Sequence, residues 1–306
     1  MAAAISVRGL VMDYGTLRAV DGLSFEVLEG EVFALLGPNG AGKTTTVEIL
    51  EGHRRRTGGE VSVLGFDPET GGHRYRERIG IMLQSGGIDA ELTVVETLRL
   101  YASFYHRPRS VEETIEQVGL GRHEQARVRA LSGGTLRRLD LGIALIGDPE
   151  VVFLDEPTTG FDPTARRAAW DMVGGLRRLG KTVLLTSHYM DEVEQLADRV
   201  AVVRRGSIVA EATPGQLGGR DVAAVLIRMR APYPGWADEL PVGPWALESV
   251  RGEVWLRTEH VTRALAELTA WAVERGEELA GLTVTRPSLE DAYLQITQQS
   301  GQAAPP

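Results

Sequence analysis

Gly37-Pro38-Asn39-Gly40-Ala41-Gly42-Lys43-Thr44-Thr45 is the stretch that decides how the rest of the chain is read. It follows the apolar run Val32-Phe33-Ala34-Leu35-Leu36 and leads into Val47, Ile49 and Leu50. That order is strand, glycine-rich loop, helix, and it fits G-x-x-x-x-G-K-[ST] at every specified position. Gly37, Gly40 and Gly42 let the backbone turn tightly and bring its N–H groups close to an anion. The helix that begins near Lys43 points its positive end at the same spot. Lys43 adds a full positive charge for outer phosphates, and the Thr44 hydroxyl suits a magnesium ion. Without its flanks the stretch is also readable as a glycine-rich turn with a solvated lysine. The strand before it and the helix after it speak against that.

The 306 residues suffice for a large core and two domains. With 33 basic and 42 acidic side chains the formal net charge is −9, which argues against general nucleic-acid binding. The absence of cysteine excludes disulfides, thiol catalysis and zinc–thiolate sites. No basic segment followed by an apolar one opens the sequence, so no signal peptide is evident. No apolar run approaches the roughly 20 residues that span a bilayer. The expectation is a cytoplasmic protein whose membrane contact comes through a partner. Lys43 and Lys181 are the only lysines among abundant arginines, which makes a lysine in the glycine loop less incidental.

Taken in order, residues 5–11 and 23–28 read as strands, with Asp13-Tyr14-Gly15 in a loop between them. The Tyr14 ring serves equally well for stacking on a base or for covering a strand edge. Glu60–Gly65 and Ile79–Leu83 read as further strands, the second ending at Gln84-Ser85-Gly86-Gly87. Gln84 is placed to reach a metal or water, or is simply polar loop. From about residue 93 the period turns helical. Thr93-Val94-Val95-Glu96 and Ser110-Val111-Glu112-Glu113 both carry the capping-box pattern. Leu98, Tyr101, Ala102 and Tyr105 form one apolar face of the first of these helices. Residues 85–147 thus read as a helical insertion. Leu131-Ser132-Gly133-Gly134 opens another helix, either as a second anion site or as a plain N-cap with loop glycines.

Val151-Val152-Phe153-Leu154-Asp155-Glu156 is an unbroken apolar strand ending in two acids, as expected of a central parallel strand covered on both faces. Ligands of such sheets gather at the carboxyl ends of the strands. Adjacent strand residues point to opposite faces, so Asp155 and Glu156 are expected to differ in role. One suits a magnesium shell and the next suits activation of water. Thr182–Thr186 is another buried strand, ending in Ser187-His188, and residues 200–211 read as a closing hairpin. Composition shifts near 212–221. Beyond it we expect strands at 222–230, 246–250, 253–257 and 279–285, and helices at 261–275 and 288–297. Four of the five tryptophans lie there (Trp236, Trp245, Trp255, Trp271), which suggests a separate small core. Residues 298–306 read as a disordered tail.

Gly37–Thr45, Gln84, Leu131–Thr135, Val151–Glu156, Gly160-Phe161-Asp162 and His188, in this order, resemble the motif set of ATP-binding-cassette (ABC) proteins. The resemblance covers roughly residues 5–217. It implies an α/β fold in which a phosphate-loop ATPase cassette combines a mostly parallel core sheet, an antiparallel β subdomain and a helical subdomain. The cassette would span 1–217, followed by a small α+β domain at 218–297. It implies that Tyr14 stacks on adenine, and that Gly37, Pro38, Asn39, Gly40, Ala41, Gly42, Lys43, Thr44 and Thr45 wrap the phosphates of ATP. Thr44 and Gln84 would bind Mg2+, and Asp155 would hold its water shell. Glu156 would polarise the attacking water, and His188 would contact the γ-phosphate. Ser132, Gly133 and Gly134 would close over the ATP of a second copy, with Asp162 at that interface. Thr135 stands where the family usually has glutamine and Phe161 where it usually has leucine, which bears on rate.

Two further stretches, Gly281–Leu294 and His188–Glu194, resemble drug-exporting cassettes of the daunorubicin-resistance type. Those are separate subunits that pair with a membrane permease. The resemblance therefore implies a homodimeric ATPase at the inner face of the membrane, working on a permease for drug, antibiotic or lipid-like export. The permease contact would lie in residues 84–105, and no nucleic acid is expected as a partner. The alternative is a soluble cassette acting on nucleic acid or ribosomes. Such proteins usually carry paired cassettes and basic surfaces, unlike this acidic chain.

Overall fold

The structure, a computed structural model, describes residues 2–82, 87–217, 225–250, 252–285 and 293. The chain divides into two compact units between Thr213 and Pro214.

In the first unit, β1 (Ala3–Tyr14) and β2 (Leu17–Leu28) form an antiparallel hairpin. Both strands run further than the apolar pattern predicts, because register shifts along the ladder break the alternation of buried and exposed positions. Tyr14 consequently ends a strand at a tight turn instead of lying in a loop between short strands. β3 (Val32–Leu36) is buried at every residue and leads to α1 (Lys43–Leu50). Next come β4 (Gly58–Val63), α2 (Gly72–Arg76) and β5 (Ile79–Met82). α3 (Val94–Ala102) carries a complete capping box between Thr93 and Glu96. It stops before Tyr105, which lies outside the helix expected to carry it. α4 (Val111–Gln117) is capped by Ser110, which accepts from the Glu113 N–H. The Ser110 hydroxyl itself donates to Glu112, so the second half of the expected box is replaced. α5 (Gly133–Leu145) follows, and then β6 (Val151–Asp155), α6 (Pro163–Arg178), β7 (Thr182–Ser187) and α7 (Met190–Leu196). β8 (Arg199–Arg204) and β9 (Ser207–Ala212) close the unit as a hairpin.

One sheet has the order β2-β1-β4. The other has the order β5-β6-β7-β3-β8-β9 and is parallel except for β9. β3, β6 and β7 are buried along their whole length, as central strands covered on both faces must be. A single apolar cluster joins the two sheets through α1. It includes Phe25 stacked on Phe33 with ring centroids 5.3 Å apart, together with Val47, Leu50 and Phe153. This core fixes the carboxyl ends of β3, β6 and β7 side by side. At the opposite end of β7, Lys181 donates to Asp148 at 2.8 Å.

The second unit begins with α8 (Pro214–Leu217) and contains β10 (Val225–Arg230), β11 (Ala246–Val250), β12 (Glu253–Thr258), α9 (Val261–Arg275) and β13 (Thr283–Thr285). Its sheet order is β11-β12-β10-β13, and the paired strands are antiparallel. Its own core gathers Trp236, Ile227, Leu256 and Leu268, with Trp245 and Trp271 packed against it. Trp255 lies outside that cluster, beneath the Arg228 guanidinium at 4.7 Å. The helix expected at 288–297 and the tail at 298–306 lie outside the described residues, apart from Tyr293.

Candidate functional site

The loop between β3 and α1 is drawn tightly down onto its neighbours. A Cβ on Gly37 would stand 2.3 Å from the Val203 carbonyl oxygen, and one on Gly42 2.5 Å from that of Ala19. Gly42 also has φ of 101°, so only glycine fits there. Gly42 is the N-cap of α1 and supplies no side-chain acceptor. The first-turn N–H groups have no intrahelical partners and face the loop. That leaves an anion site backed by the helix dipole.

Lys43 folds back over this loop. Its ammonium donates to the Gly37 carbonyl at 2.7 Å and the Pro38 carbonyl at 3.1 Å, and the residue is 4% exposed. Burial lowers its pKa, and the charges of Glu156 and Asp155 oppose that shift. The Glu156 Oε1 atom lies 3.9 Å from the ammonium.

β6 delivers Asp155, whose Oδ1 accepts from the Thr44 hydroxyl at 3.4 Å and from the Thr186 hydroxyl. Thr44 and Asp155 thus present two hard oxygen donors side by side, the kind magnesium takes. The strand ends at Asp155. Glu156 turns out with φ of 47°, in the left-handed region. Strand alternation therefore does not separate the two acids, as the sequence suggested; the turn does. The turn is held by Glu156 N–H donating to Thr186 Oγ1 at 3.0 Å and by the Thr159 hydroxyl donating to Glu156 Oε2 at 3.0 Å. Across from it, His188 Nδ1 lies 3.3 Å from Glu156 Oε1. The pair is within ion-pair range but not aligned as a hydrogen bond. The His188 ring packs on Tyr189 with centroids 4.0 Å apart.

Tyr14 is partly exposed, with its hydroxyl 3.5 Å from Thr45 Oγ1 and the Arg54 guanidinium 5.2 Å from its ring centroid. The structure thus brings together Tyr14, the 37–45 loop, Asp155, Glu156 and His188. Gln84 lies outside the described residues. Ser132, Gly133, Gly134 and Asp162 form a separate group. Ser132 caps α5 and Asp162 caps α6, the latter accepting from Thr164 and Ala165 N–H at 2.8 and 2.9 Å. Ser132, Gly134 and Asp162 border a cleft of about 390 Å³ with Thr135 and Phe161, Gly133 lines an adjoining one with Ser132, Gly134 and Asp162, and no residue of the 37–45 loop lines either. Thr135 hydrogen-bonds through its hydroxyl to Ser132 at 2.7 Å. Sequence reading passed over Thr186 and Thr159. The only available signal was their position beside motif residues at strand and loop ends.

Residues 20–159 match the ABC transporter family, and residues 226–288 match the C-terminal domain of ABC transporter domain-containing protein-like proteins. The chain is 37% identical over 302 residues to the daunorubicin resistance ATP-binding protein DrrA3 of Streptomyces coeruleorubidus, covering 96% of both proteins. The chain belongs to the ABC transporter ATP-binding proteins. This cassette family hydrolyses ATP to drive transport, so the protein is an ATPase. The cassette is also 38% identical to the Nod factor export ATP-binding protein I of Ralstonia nicotianae, over 78% of this chain and 74% of that one. Among solved structures it resembles an ATP-binding subunit of an ABC transporter, with TM-score 0.63 and 26% identity over 71% of this chain and 92% of the other. An ABC cassette in its ADP conformation gives the same TM-score at 25% identity, over 71% of this chain and 93% of the other.

Proposed function

We propose that this cassette is the ATP-hydrolysing subunit of an exporter, dimerising around ATP and Mg2+ to drive a separate transmembrane permease. The observation that carries this is the end-to-end match to a daunorubicin resistance protein, which extends through the second unit. No helix among the described residues is long and apolar enough to cross a membrane, in keeping with a partner that does. The cargo class we propose is a drug, antibiotic or lipid-like molecule, and the working place is the inner face of the cell membrane.

In this reading the 37–45 loop takes the phosphates, and Lys43 leaves the Gly37 and Pro38 carbonyls to pair with the outer ones. Tyr14 stacks on adenine. Thr44, Asp155 and Gln84 would hold Mg2+, which neutralises phosphate charge when bound. Glu156 polarises the attacking water and His188 contacts the γ-phosphate. Ser132, Gly133 and Gly134 act on the nucleotide of a second copy, with Asp162 at the shared face. Their separation into another cleft from the phosphate loop supports this division. Residues 84–105 are the proposed permease contact.

The test is copurification. Tagged Glu156→Gln protein is trapped with ATP in solubilised membranes of its native cell. A single multi-span protein in near-stoichiometric amount is expected. Recovery only from the soluble fraction, alone or with ribosomes or nucleic acid, would overturn the exporter reading and leave the ATPase standing.

A further inference from the structure

Glu192 is fully buried on α7, the helix entered directly from His188 and Tyr189. Neither of its carboxylate oxygens has a hydrogen-bond partner. Burying a carboxyl with nothing bonded to it is unfavourable in either protonation state, so such a group calls for a reason. Three complementary groups face it. Thr158 comes from the segment after Glu156, Trp170 from α6 and Ser187 from the end of β7. The Thr158 hydroxyl and the Trp170 indole N–H are themselves buried without partners. Ser187 is already engaged with the backbone of Tyr189, donating to its carbonyl at 3.3 Å and accepting from its N–H at 2.9 Å. The opposite charge that acts on it is Arg166 of α6. Its guanidinium lies 4.3 Å from the Tyr189 ring centroid and 3.4 Å from Asp191.

Glu192 therefore sits where three pieces of the site machinery meet. They are the segment that carries Glu156, the helix that carries on from His188, and the helix that Asp162 caps. A purely structural acid at such a junction would have its bonds made. Here two donors and a matching acceptor face one another with the bonds unmade. Thr158 belongs to the segment that follows Glu156, so closing these bonds ties that segment to α7.

We infer that Glu192 is a positioning residue for ATP hydrolysis, which takes hydrogen bonds from Thr158 and Trp170 and so locks the Glu156 segment to the His188 helix in the engaged state. The inference rests on the roles given above to Glu156 and His188. Burial raises the Glu192 carboxyl pKa, against the bonds offered by Ser187, Thr158 and Trp170 and the charge of Arg166.

The experiment compares steady-state ATP turnover and ATP affinity of the full chain with those of Glu192→Ala, Glu192→Gln, Trp170→Phe and Glu156→Gln. Glu192→Ala should lower kcat at least about tenfold with ATP affinity changed by less than about threefold, as expected when a reacting group is misplaced without losing its ligand. Glu192→Gln should stay within about threefold of wild type. Trp170→Phe should show a smaller kcat loss of the same kind. Wild-type kcat in Glu192→Ala overturns the inference, as does a loss that merely tracks lost folding or lost ATP affinity. Where Glu192→Ala does not fold, wild-type kcat in folded Trp170→Phe overturns it. Unchanged turnover in Glu156→Gln overturns the underlying role of Glu156 and this inference with it. Turnover lost in Glu156→Gln but kept in Glu192→Ala overturns this inference alone.

Discussion

Glu156 carries its carboxylate on a left-handed backbone, a conformation that costs a non-glycine residue on the order of 1–3 kcal/mol. Thr186 holds the backbone and Thr159 holds the side chain. Glutamine keeps the size and can still accept from Thr159, but it no longer offers an anion to the attacking water. Glu156→Gln should therefore lower steady ATP turnover by about 10²-fold or more while ATP binding persists. Phosphate release and nucleotide binding, measured on the same preparation, check this, and unchanged turnover would contradict the assigned role. Lys43, Thr44 and Asp155 were legible in the sequence because chemistry forces those residue types to fixed spacings after an apolar strand. Thr186 and Glu192 were not. A threonine in an apolar strand reads as β-branched filler, and an acid on a short helix reads as solvated surface until the fold buries it.

At the scale of elements, the C-cap of α1 and the body of α5 each bury a carboxyl against one cleft, Glu51 and Asp140. Burial pushes Glu51 up to about 8, with the charges of Asp155 and Glu48 adding to the effect; His53 Nδ1 lies 3.2 Å from its Oε2. Burial pushes Asp140 up to about 6 against the pull of Arg137. Both folded pKa values exceed the ordinary ones, so the native state holds protons that the unfolded chain releases. Stability then falls as pH rises from about 4 towards about 8, with the Asp140 part complete near 6 and the Glu51 part continuing. The nucleotide-free protein should lose Tm over pH 6–8, and Glu51→Gln should flatten that decline by several degrees. Thermal unfolding at intervals across that range decides it, since parallel curves for the two proteins would refute the account. The same scale shows which elements a sequence reveals. β3, β6 and β7 were readable because two-sided burial demands unbroken apolar runs. The β1–β2 hairpin was foreshortened because its register shifts interrupt the two-residue period. Its true length is what carries Tyr14 to the loop.

For the molecule as a whole, the question is what completes the cleft of Ser132, Gly133 and Gly134. A Cβ placed on Gly133 meets nothing within 4 Å, so Gly133→Ala is accommodated in the single chain. Any effect it has must come from something that approaches from outside. ATP should convert Glu156→Gln protein from monomer to dimer, and adding Gly133→Ala should weaken that association at least about tenfold with ATP affinity of the monomer unchanged. Sedimentation with and without ATP measures this, and equal dimerisation would place the second copy elsewhere. The order of motifs made the cassette legible, and the resemblance it carries already assigned Ser132, Gly133, Gly134 and Asp162 to a face apart from the phosphate loop; residue types and spacing alone did not. That separation is set by the fold of α5 and α6 around their caps and not by any residue type.

The chain's two lysines have both been placed. Lys181 is held by Asp148, and Lys43 is folded into the phosphate loop with its basicity reduced by burial. The positive charge of the exterior is therefore carried mainly by guanidinium groups, which resist acylation at neutral pH. Of the two lysine amines, one is paired with Asp148 and the other would lie under bound nucleotide in the reading proposed above. Acylation read at Lys43 alone by peptide mapping, with and without nucleotide, therefore reports whether a single loop is filled.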